Sequence, residues 1–257
     1  MALIAADAGV ATRAVTLPVA VTLVAYAVMF AVHHSVGDHY ASIAVLWIVM
    51  TIGMMAPSAI PMIGAFAKLA ERLDATRSTF TLAALFLSTY LVLWSLYGLI
   101  AAALQLQMRR WFLVDEQMAF TNPLIAAVLL GAAGVFQLSP LKQVCLTKCR
   151  SPLGFLSGAY QPGYTKAVSI SLSHAAFCIG CCWLLMALAW VGGVMNMAWM
   201  ALLGVIVVLE KSLPASVALE KMTGILLCAL ALILVLAKGQ EGLYFFKVLA
   251  NLCRSHH

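Results

Sequence analysis

The stretch Ser171–Met186, SLSHAAFCIGCCWLLM, decides how the rest of this chain is read. It lies inside an apolar run from Ala167 to Val191, and about 20 apolar residues are enough to cross a bilayer as a helix. At roughly 100° per residue, positions i, i+4, i+7 and i+8 of a helix lie on one face. Those positions carry one imidazole and three thiols: His174, Cys178, Cys181 and Cys182.

This face has two interpretations. Thiolate and imidazole are soft ligands, suited to Cu(I), to zinc or to an iron–sulfur centre. Cysteine is also a small hydrophobic residue that packs well between helices, and a single histidine can bond a neighbouring helix. Three thiols and an imidazole on one face favour a metal or redox role, with simple packing as the alternative.

Composition fixes the class of protein. Of the 257 residues, 64% are hydrophobic and only 9% are charged, whereas soluble domains carry about 25% charged residues. The sequence therefore predicts an all-α, polytopic transmembrane helical bundle that forms a single domain over residues 1–257. The formal net charge of +6 indicates membrane orientation rather than nucleic-acid binding.

Hydropathy predicts about seven spans and an interfacial amphipathic tail. Basic residues concentrate in loops on one predicted side, which places the N-terminus in the cytoplasm. The basic residues on that side are Arg13, Lys68, Arg72, Arg77, Lys142, Lys148, Arg150, Lys166 and Lys211. The predicted spans are 17–34, 41–67, 80–106, 123–141, 167–191, 194–209 and 216–237, and the tail is 240–254.

The second span combines thioethers with helix breakers. Met50 and Met54 share a helical face with Pro57 and Pro61, and Gly53 precedes the prolines. Prolines four apart kink a helix and free backbone carbonyls, which a membrane protein tolerates beside a cavity. We predict that Met54 faces the same cavity as the fifth-span histidine and thiols; the alternative is a kinked packing helix.

Two further groups of sulfur ligands lie near predicted span ends. Cys145 and Cys149 are four apart, at the predicted cytoplasmic end of the fourth span, where thiols stay reduced. Met195, Met197 and Met200 are predicted to cluster at the outer surface, as a Cu(I) capture site or as interfacial anchors. The sequence assigns no role to the remaining histidines, which are His33, His34, His39, His256 and His257.

Four motifs together resemble a bacterial family described as predicted metal-binding integral membrane proteins of unknown function. They are W-x-x-M-x-x-G-M-M-x-P from Trp47, Q-x-S-x-L-K-x-x-C-L-x-x-C-R-x-P from Gln137, H-x-x-x-C-x-G-C-C-W-x-L-M from His174, and M-N-M-x-W-M from Met195 with a later Glu210–Lys211. The resemblance runs from about Leu46 to Lys211. It implies metal binding in the bacterial inner membrane without naming a reaction.

The best-supported function is therefore handling of a soft metal ion, with copper favoured over zinc, in transport or delivery. No P-loop or phosphorylated-aspartate module is visible in the sequence, so pumping by this chain alone is not expected. The expected partners are the lipid bilayer and either a periplasmic metal donor or subunits of a membrane complex. The alternatives are a structural or assembly subunit, or a membrane thiol–disulfide redox protein; buried mid-span thiols make an enzyme the weaker reading.

Overall fold

The computed structural model describes residues 2–32, 39–74, 77–213 and 216–236. The all-α prediction is confirmed: these residues form helices and no β-strand, with one isolated bridge between Val114 and Phe120. The predicted tail at 240–254 lies outside the described residues. The helices are α1 (Ala2–Val32), α2 (Tyr40–Ser58), α3 (Ile60–Leu73), α4 (Thr79–Arg110), α5 (Pro123–Gln137), α6 (Pro140–Arg150), α7 (Pro152–Ala159), α8 (Tyr164–Ala187), α9 (Ala189–Gly192), α10 (Met197–Ser212) and α11 (Ser216–Leu236).

Each predicted span overlaps one or two of these helices: 41–67 covers α2 and most of α3, and 123–141 covers α5 and the start of α6. Within the described residues, five helices are long and apolar enough to cross a membrane: α1, α2, α4, α8 continued through α9, and α11. The bent pair α5 and α6 would make a sixth. The short predicted span 194–209 is α10, whose 16 residues fall below the roughly 20 that a bilayer requires.

The backbone forms two compact units. The first contains residues 1–102 and 144–180, and the second contains residues 103–143 and 181–257. In the first unit, large aromatic side chains fill the core, and Trp47, Trp94, Tyr90, Phe66 and Phe86 are among the largest fully buried ones.

The predicted break in the second span lies between α2 and α3. α2 ends at Ser58, and α3 begins at Ile60 with a proline in its first turn. The Ala59 amide bonds the Ala56 carbonyl, so the last turn tightens before the chain restarts as α3. The break therefore divides this stretch into a buried helix and a helix with one polar face.

A buried carboxylate ties the end of α3 to the start of α8. Asp74 accepts a bond of 2.8 Å from Arg77 and one of 3.0 Å from the amide of Gly163, whose φ is +121°. Burial, together with the Asp74 charge, raises the pKa of Tyr160 above its usual 10.0, and Arg77 opposes that shift. This junction fixes where α8, the helix with the predicted ligands, begins.

In the second unit, α5 and α11 pack at very short range. A side chain at Gly134 would place its Cβ 2.6 Å from the sulfur of Cys228, and one at Gly224 would place its Cβ 2.9 Å from that of Gln137. Small residues allow helix backbones to approach closely in this way, as they do in membrane bundles. The glycines therefore set the contact between the two helices.

Candidate metal site

The Cys178 thiol makes a buried polar contact in the first unit. Its side chain is completely buried on α8, and its sulfur lies 2.9 Å from the phenolic oxygen of Tyr90 on α4. Tyr90 is also completely buried. Since a phenol and a thiol each need a partner away from water, this hydrogen bond holds the sulfur at a defined position.

Tyr90 connects this thiol to the broken end of α2. The hydroxyl oxygen of Ser58 lies 3.3 Å from the phenolic oxygen of Tyr90. Ser58 also donates to the backbone carbonyl of Met55 at 2.8 Å, and its oxygen lies 4.0 Å from the Met55 thioether sulfur. A thiol, a phenol, a hydroxyl and a thioether therefore form one connected set.

The His174 imidazole lies one helical turn before Cys178 and belongs to the same set. Its ring is 3% exposed and stacks on Tyr90, with centroids 5.6 Å apart and planes at 24°. Phe86 and Phe155 each place a ring centroid 6.0 Å from that of His174. Aromatic rings thus surround the imidazole, and we name Met55, Ser58, Tyr90, His174 and Cys178 the soft-donor cluster.

Geometry limits which metal sites are available. In the described part of the chain, no group of three or more His, Cys, Asp or Glu side chains has the arrangement to hold an ion. The soft-donor cluster has two such side chains, His174 and Cys178, together with the Met55 thioether. A metal held there would take imidazole, thiolate and thioether, which are the donors that Cu(I) prefers.

The predicted stripe on α8 is helical throughout, but its members belong to different units. His174 and Cys178 lie in the first unit, whereas Cys181 and Cys182 lie in the second. Cys181 and Cys182 are buried, and their sulfurs are 3.8 Å apart. The Cys181 and Cys182 thiols are therefore close enough to each other for contact.

The methionines of α2 are all buried. Met50 and Met54 are each 1% exposed, so neither is directed to the surface of the first unit. A shared cavity for Met54 and His174 stays a prediction. The thioether that the structure places beside Ser58 is instead that of Met55, which is not among the predicted ligands.

Cys145 and Cys149 lie on one helix, α6, as the spacing predicted. Cys145 is half-buried and Cys149 is buried. A side chain at Gly180 would place its Cβ 3.2 Å from the Cys145 sulfur, so the glycine leaves the space that this thiol occupies against α8.

The predicted capture site of three methionines stays a prediction, and one of its thioethers is buried. Met195 and Met197 are half-buried at the start of α10, where Asn196 accepts a hydrogen bond from the Trp199 amide as the N-cap. Met200 is completely buried, because the capped helix turns it inward. The capture site predicted there cannot use all three thioethers at the surface.

A second buried polar set lies in the second unit and consists of charges. Lys142 donates to Glu210 at 2.6 Å and also to Gln137, and Gln137 donates to the other Glu210 oxygen at 2.6 Å. All three side chains are buried, with Lys142 completely so. We name Gln137, Lys142 and Glu210 the charged triad.

Two of the lysines counted in the predicted membrane orientation are buried, and one of them belongs to the charged triad. Lys142 was expected in a cytoplasmic loop, but it lies in α6 and bonds Glu210, so it does not report orientation. Lys211 was counted on the same side and is also buried, with 5% exposed. Both lysines are buried in the folded chain, which a count of loop charges does not reveal.

Sequence reasoning missed Tyr90, Met55 and the partner of Glu210. The phenolic hydroxyl within a predicted span was the available signal for Tyr90, since a buried hydroxyl requires a partner. Of the unassigned histidines, His39 is exposed before α2. His33, His34, His256 and His257 lie outside the described residues.

Comparison with known proteins identifies the family. A family model described as a copper chaperone, PpoB2, matches residues 44–234, which is well over half of the 257 residues. The chain therefore belongs to that family. No curated protein and no solved structure matches it.

Proposed function

We propose that this member of the copper chaperone family is a multi-pass membrane protein that binds Cu(I) in the soft-donor cluster and delivers it to a partner. The observation that carries the proposal is the buried contact among Cys178, Tyr90, Ser58 and Met55, with His174 stacked on Tyr90. Membership of the family supports copper as the metal, and the donor chemistry supports the soft-donor cluster as its binding site.

The surfaces of the helices support insertion in a bilayer. On α4, Val92, Leu96 and Ile100 are 57%, 52% and 70% exposed at successive turns. Contiguous exposed apolar surface of this kind marks an interaction site, and for a helix of 32 residues a bilayer is the matching environment. We therefore place the protein in the bacterial inner membrane.

Charge balance favours Cu(I) over Zn²⁺. The soft-donor cluster has one group that becomes an anion on metal binding, the Cys178 thiol, while imidazole, phenol and thioether stay neutral. Cu(I) with one thiolate is a neutral pair, whereas Zn²⁺ would leave one positive charge in apolar surroundings. Buried uncompensated charge costs several kcal/mol, at about the level of single buried ions.

Binding has a defined proton balance. Cu(I) replaces the proton on Cys178, and that proton leaves the site as the metal–thiolate bond forms. Tyr90 acts as a positioning residue because its phenol remains hydrogen-bonded to the sulfur and fixes its direction. Release to a partner requires an incoming thiolate or thioether to replace Cys178, with a proton returned.

The other sulfur ligands are proposed as transfer positions. Cys145 and Cys149 serve the cytoplasmic end, since Lys148 and Arg150 lie beside them in α6. Cys181 and Cys182, and Met195 and Met197, are proposed to hold copper transiently within the second unit. The N-terminus is proposed to be cytoplasmic, on the basic residues that remain on that predicted side without Lys142 and Lys211.

The decisive experiment is an anaerobic Cu(I) titration of the purified full-length protein against a chromogenic Cu(I) chelator. Cys178→Ser is expected to lower copper affinity by more than about tenfold, since even residues that only orient ligands contribute 10–100-fold. Cys228→Ser is the matched control, because Cys228 packs against Gly134 in the second unit. Equal affinity for wild type and Cys178→Ser, with both folded, would contradict the proposal.

Orientation has its own test. A variant that keeps Cys145 as its single cysteine presents a half-buried thiol at the proposed cytoplasmic end. In intact cells, a membrane-impermeant maleimide is expected to label it only after permeabilisation. Labelling before permeabilisation would reverse the proposed topology.

A further inference from the structure

A cavity of about 730 Å³ opens in the first unit, away from the soft-donor cluster. Three helices line it: Val15 comes from α1, Ile60, Gly64 and Leu69 come from α3, and Leu153 comes from α7. Its volume is in the range of small-molecule sites, about 300–1,000 Å³. These walls are apolar, so the cavity suits a hydrocarbon chain.

Glycine keeps this cavity open between α1 and α3. A Cβ built at Gly64 would lie 3.6 Å from a methyl carbon of Val15, an ordinary contact distance. A larger side chain at this position would therefore occupy the space between the two helices.

The same cavity is bordered by two cations. Lys68 and Arg72 line it and are exposed, four residues apart on α3. Among the described residues that line it, none is acidic, and the neighbouring Glu71 is half-buried. Lysine and arginine together favour a phosphate, which the planar guanidinium can bind through two parallel hydrogen bonds.

We propose that this cavity binds an anionic phospholipid of the cytoplasmic leaflet. The phosphate lies between Lys68 and Arg72, and one acyl chain lies along Val15, Gly64 and Leu153. Basic pockets between helices on the cytoplasmic side have this chemistry. The inference rests on the proposed membrane location, but not on copper binding.

Native mass spectrometry of the full-length protein in detergent tests it, with equimolar phosphatidylglycerol and phosphatidylcholine of identical chains as probes. Wild type is expected to retain phosphatidylglycerol preferentially. Lys68→Gln/Arg72→Gln is expected to reduce that retention by about tenfold or more, to the level of phosphatidylcholine. The control Lys148→Gln/Lys166→Gln removes two exposed cations of the same unit and is expected to retain the preference.

The apolar part is tested separately. Gly64→Leu is expected to displace both lipids by filling the cavity, and Leu153→Gln, at a side chain that is 71% exposed, is expected to weaken both without affecting folding. Circular dichroism checks that each variant is helical. Copper affinity should stay unchanged in all of them, so failure here is distinguishable from failure of the copper proposal.

Four results would overturn the inference. Equal retention of the two lipids by wild type would remove the headgroup preference, and equal loss in the control variant would reduce it to general charge. Displacement of phosphatidylglycerol by millimolar inorganic phosphate alone would show a free-anion site. A change from dimer to monomer in Gly64→Leu, with lipid retention unchanged, would assign the cavity to a second copy of the chain.

Discussion

The two buried polar sets differ in charge, and this difference separates a binding site from a structural lock. The soft-donor cluster of the first unit consists of neutral groups, with Cys178 bonded to Tyr90. The charged triad of the second unit pairs Lys142 with Glu210 at 2.6 Å. Since the opposite charges in the triad already compensate each other, binding of a cation there is not favoured. The soft-donor cluster has an ionisable thiol whose thiolate would compensate the charge of a bound cation.

The first way to break this comparison is Lys142→Met. Removing the ammonium leaves Glu210 buried without its counter-charge, so we expect a loss of about 3–5 kcal/mol in the free energy of unfolding. Denaturant titration in detergent, followed by circular dichroism, measures it. The double variant Lys142→Met/Glu210→Gln should recover much of the loss, and the folded fraction should bind copper like wild type. A loss below about 1 kcal/mol in the free energy of unfolding would show that the Lys142–Glu210 pair does not stabilise the second unit in this way.

The second test concerns packing in the second unit. Gly134→Ala would place a methyl group 2.6 Å from the Cys228 sulfur and 2.9 Å from the Gly224 carbonyl oxygen. Because backbone atoms cannot yield as a flexible side chain does, we expect destabilisation at the upper end of about 1–3 kcal/mol. Gly158→Ala on α7 is the control, since its added Cβ meets nothing within 4 Å. Equal unfolding midpoints for the two variants would contradict close packing of α5 on α11.

The third test moves to the soft-donor cluster. Tyr90→Phe removes the phenolic oxygen that contacts both Cys178 and Ser58 but keeps the ring that stacks on His174. We expect a smaller stability loss, about 1–2 kcal/mol, and a fall in Cu(I) affinity of about 10–100-fold. Chelator competition and thermal unfolding on the same samples separate the two effects. Affinity that follows stability alone, or does not change, would reduce Tyr90 to a packing residue.

The smallest stability effect is expected from Met55→Leu. This change nearly conserves volume and apolarity, so unfolding should shift by about 1 kcal/mol or less, while the loss of a thioether should still weaken Cu(I) binding. Met54→Leu on the same helix is the matched variant. A larger affinity loss for Met55→Leu would select the thioether beside Ser58. The opposite order would support the sequence-based prediction for Met54.

Much of the fold could be predicted because it depends on local properties. The apolar runs predicted the helices, and Pro57 and Pro61 predicted the break after Ser58, since proline restricts the backbone wherever it occurs. The placement of Cys145 and Cys149 on one helix was also predictable, because their spacing of four residues is a local property. The candidate site was predictable only on α8, where His174 and Cys178 are one turn apart.

The rest depends on which helices are neighbours. Nothing within the third predicted span, 80–106, indicates that Tyr90 packs against Cys178. Lys142 was assigned to a loop, because a lysine near a span end is usually solvated, and only the position of Glu210 on α10 explains its burial. Met200 was placed at the surface, because the direction of a side chain near a helix start depends on the capped helix that follows.

By itself, the sequence determined that this is an all-α chain with helices long and apolar enough for a membrane, and that α8 carries an imidazole and three thiols on one face. These properties are set by composition and by the 3.6-residue period, which are local. Only the tertiary structure decided that Tyr90, Ser58 and Met55 join Cys178, and that Lys142 meets Glu210. The Lys142–Glu210 and Tyr90–Cys178 contacts join residues 68 and 88 positions apart, and their distances depend on helix packing, which no local pattern specifies.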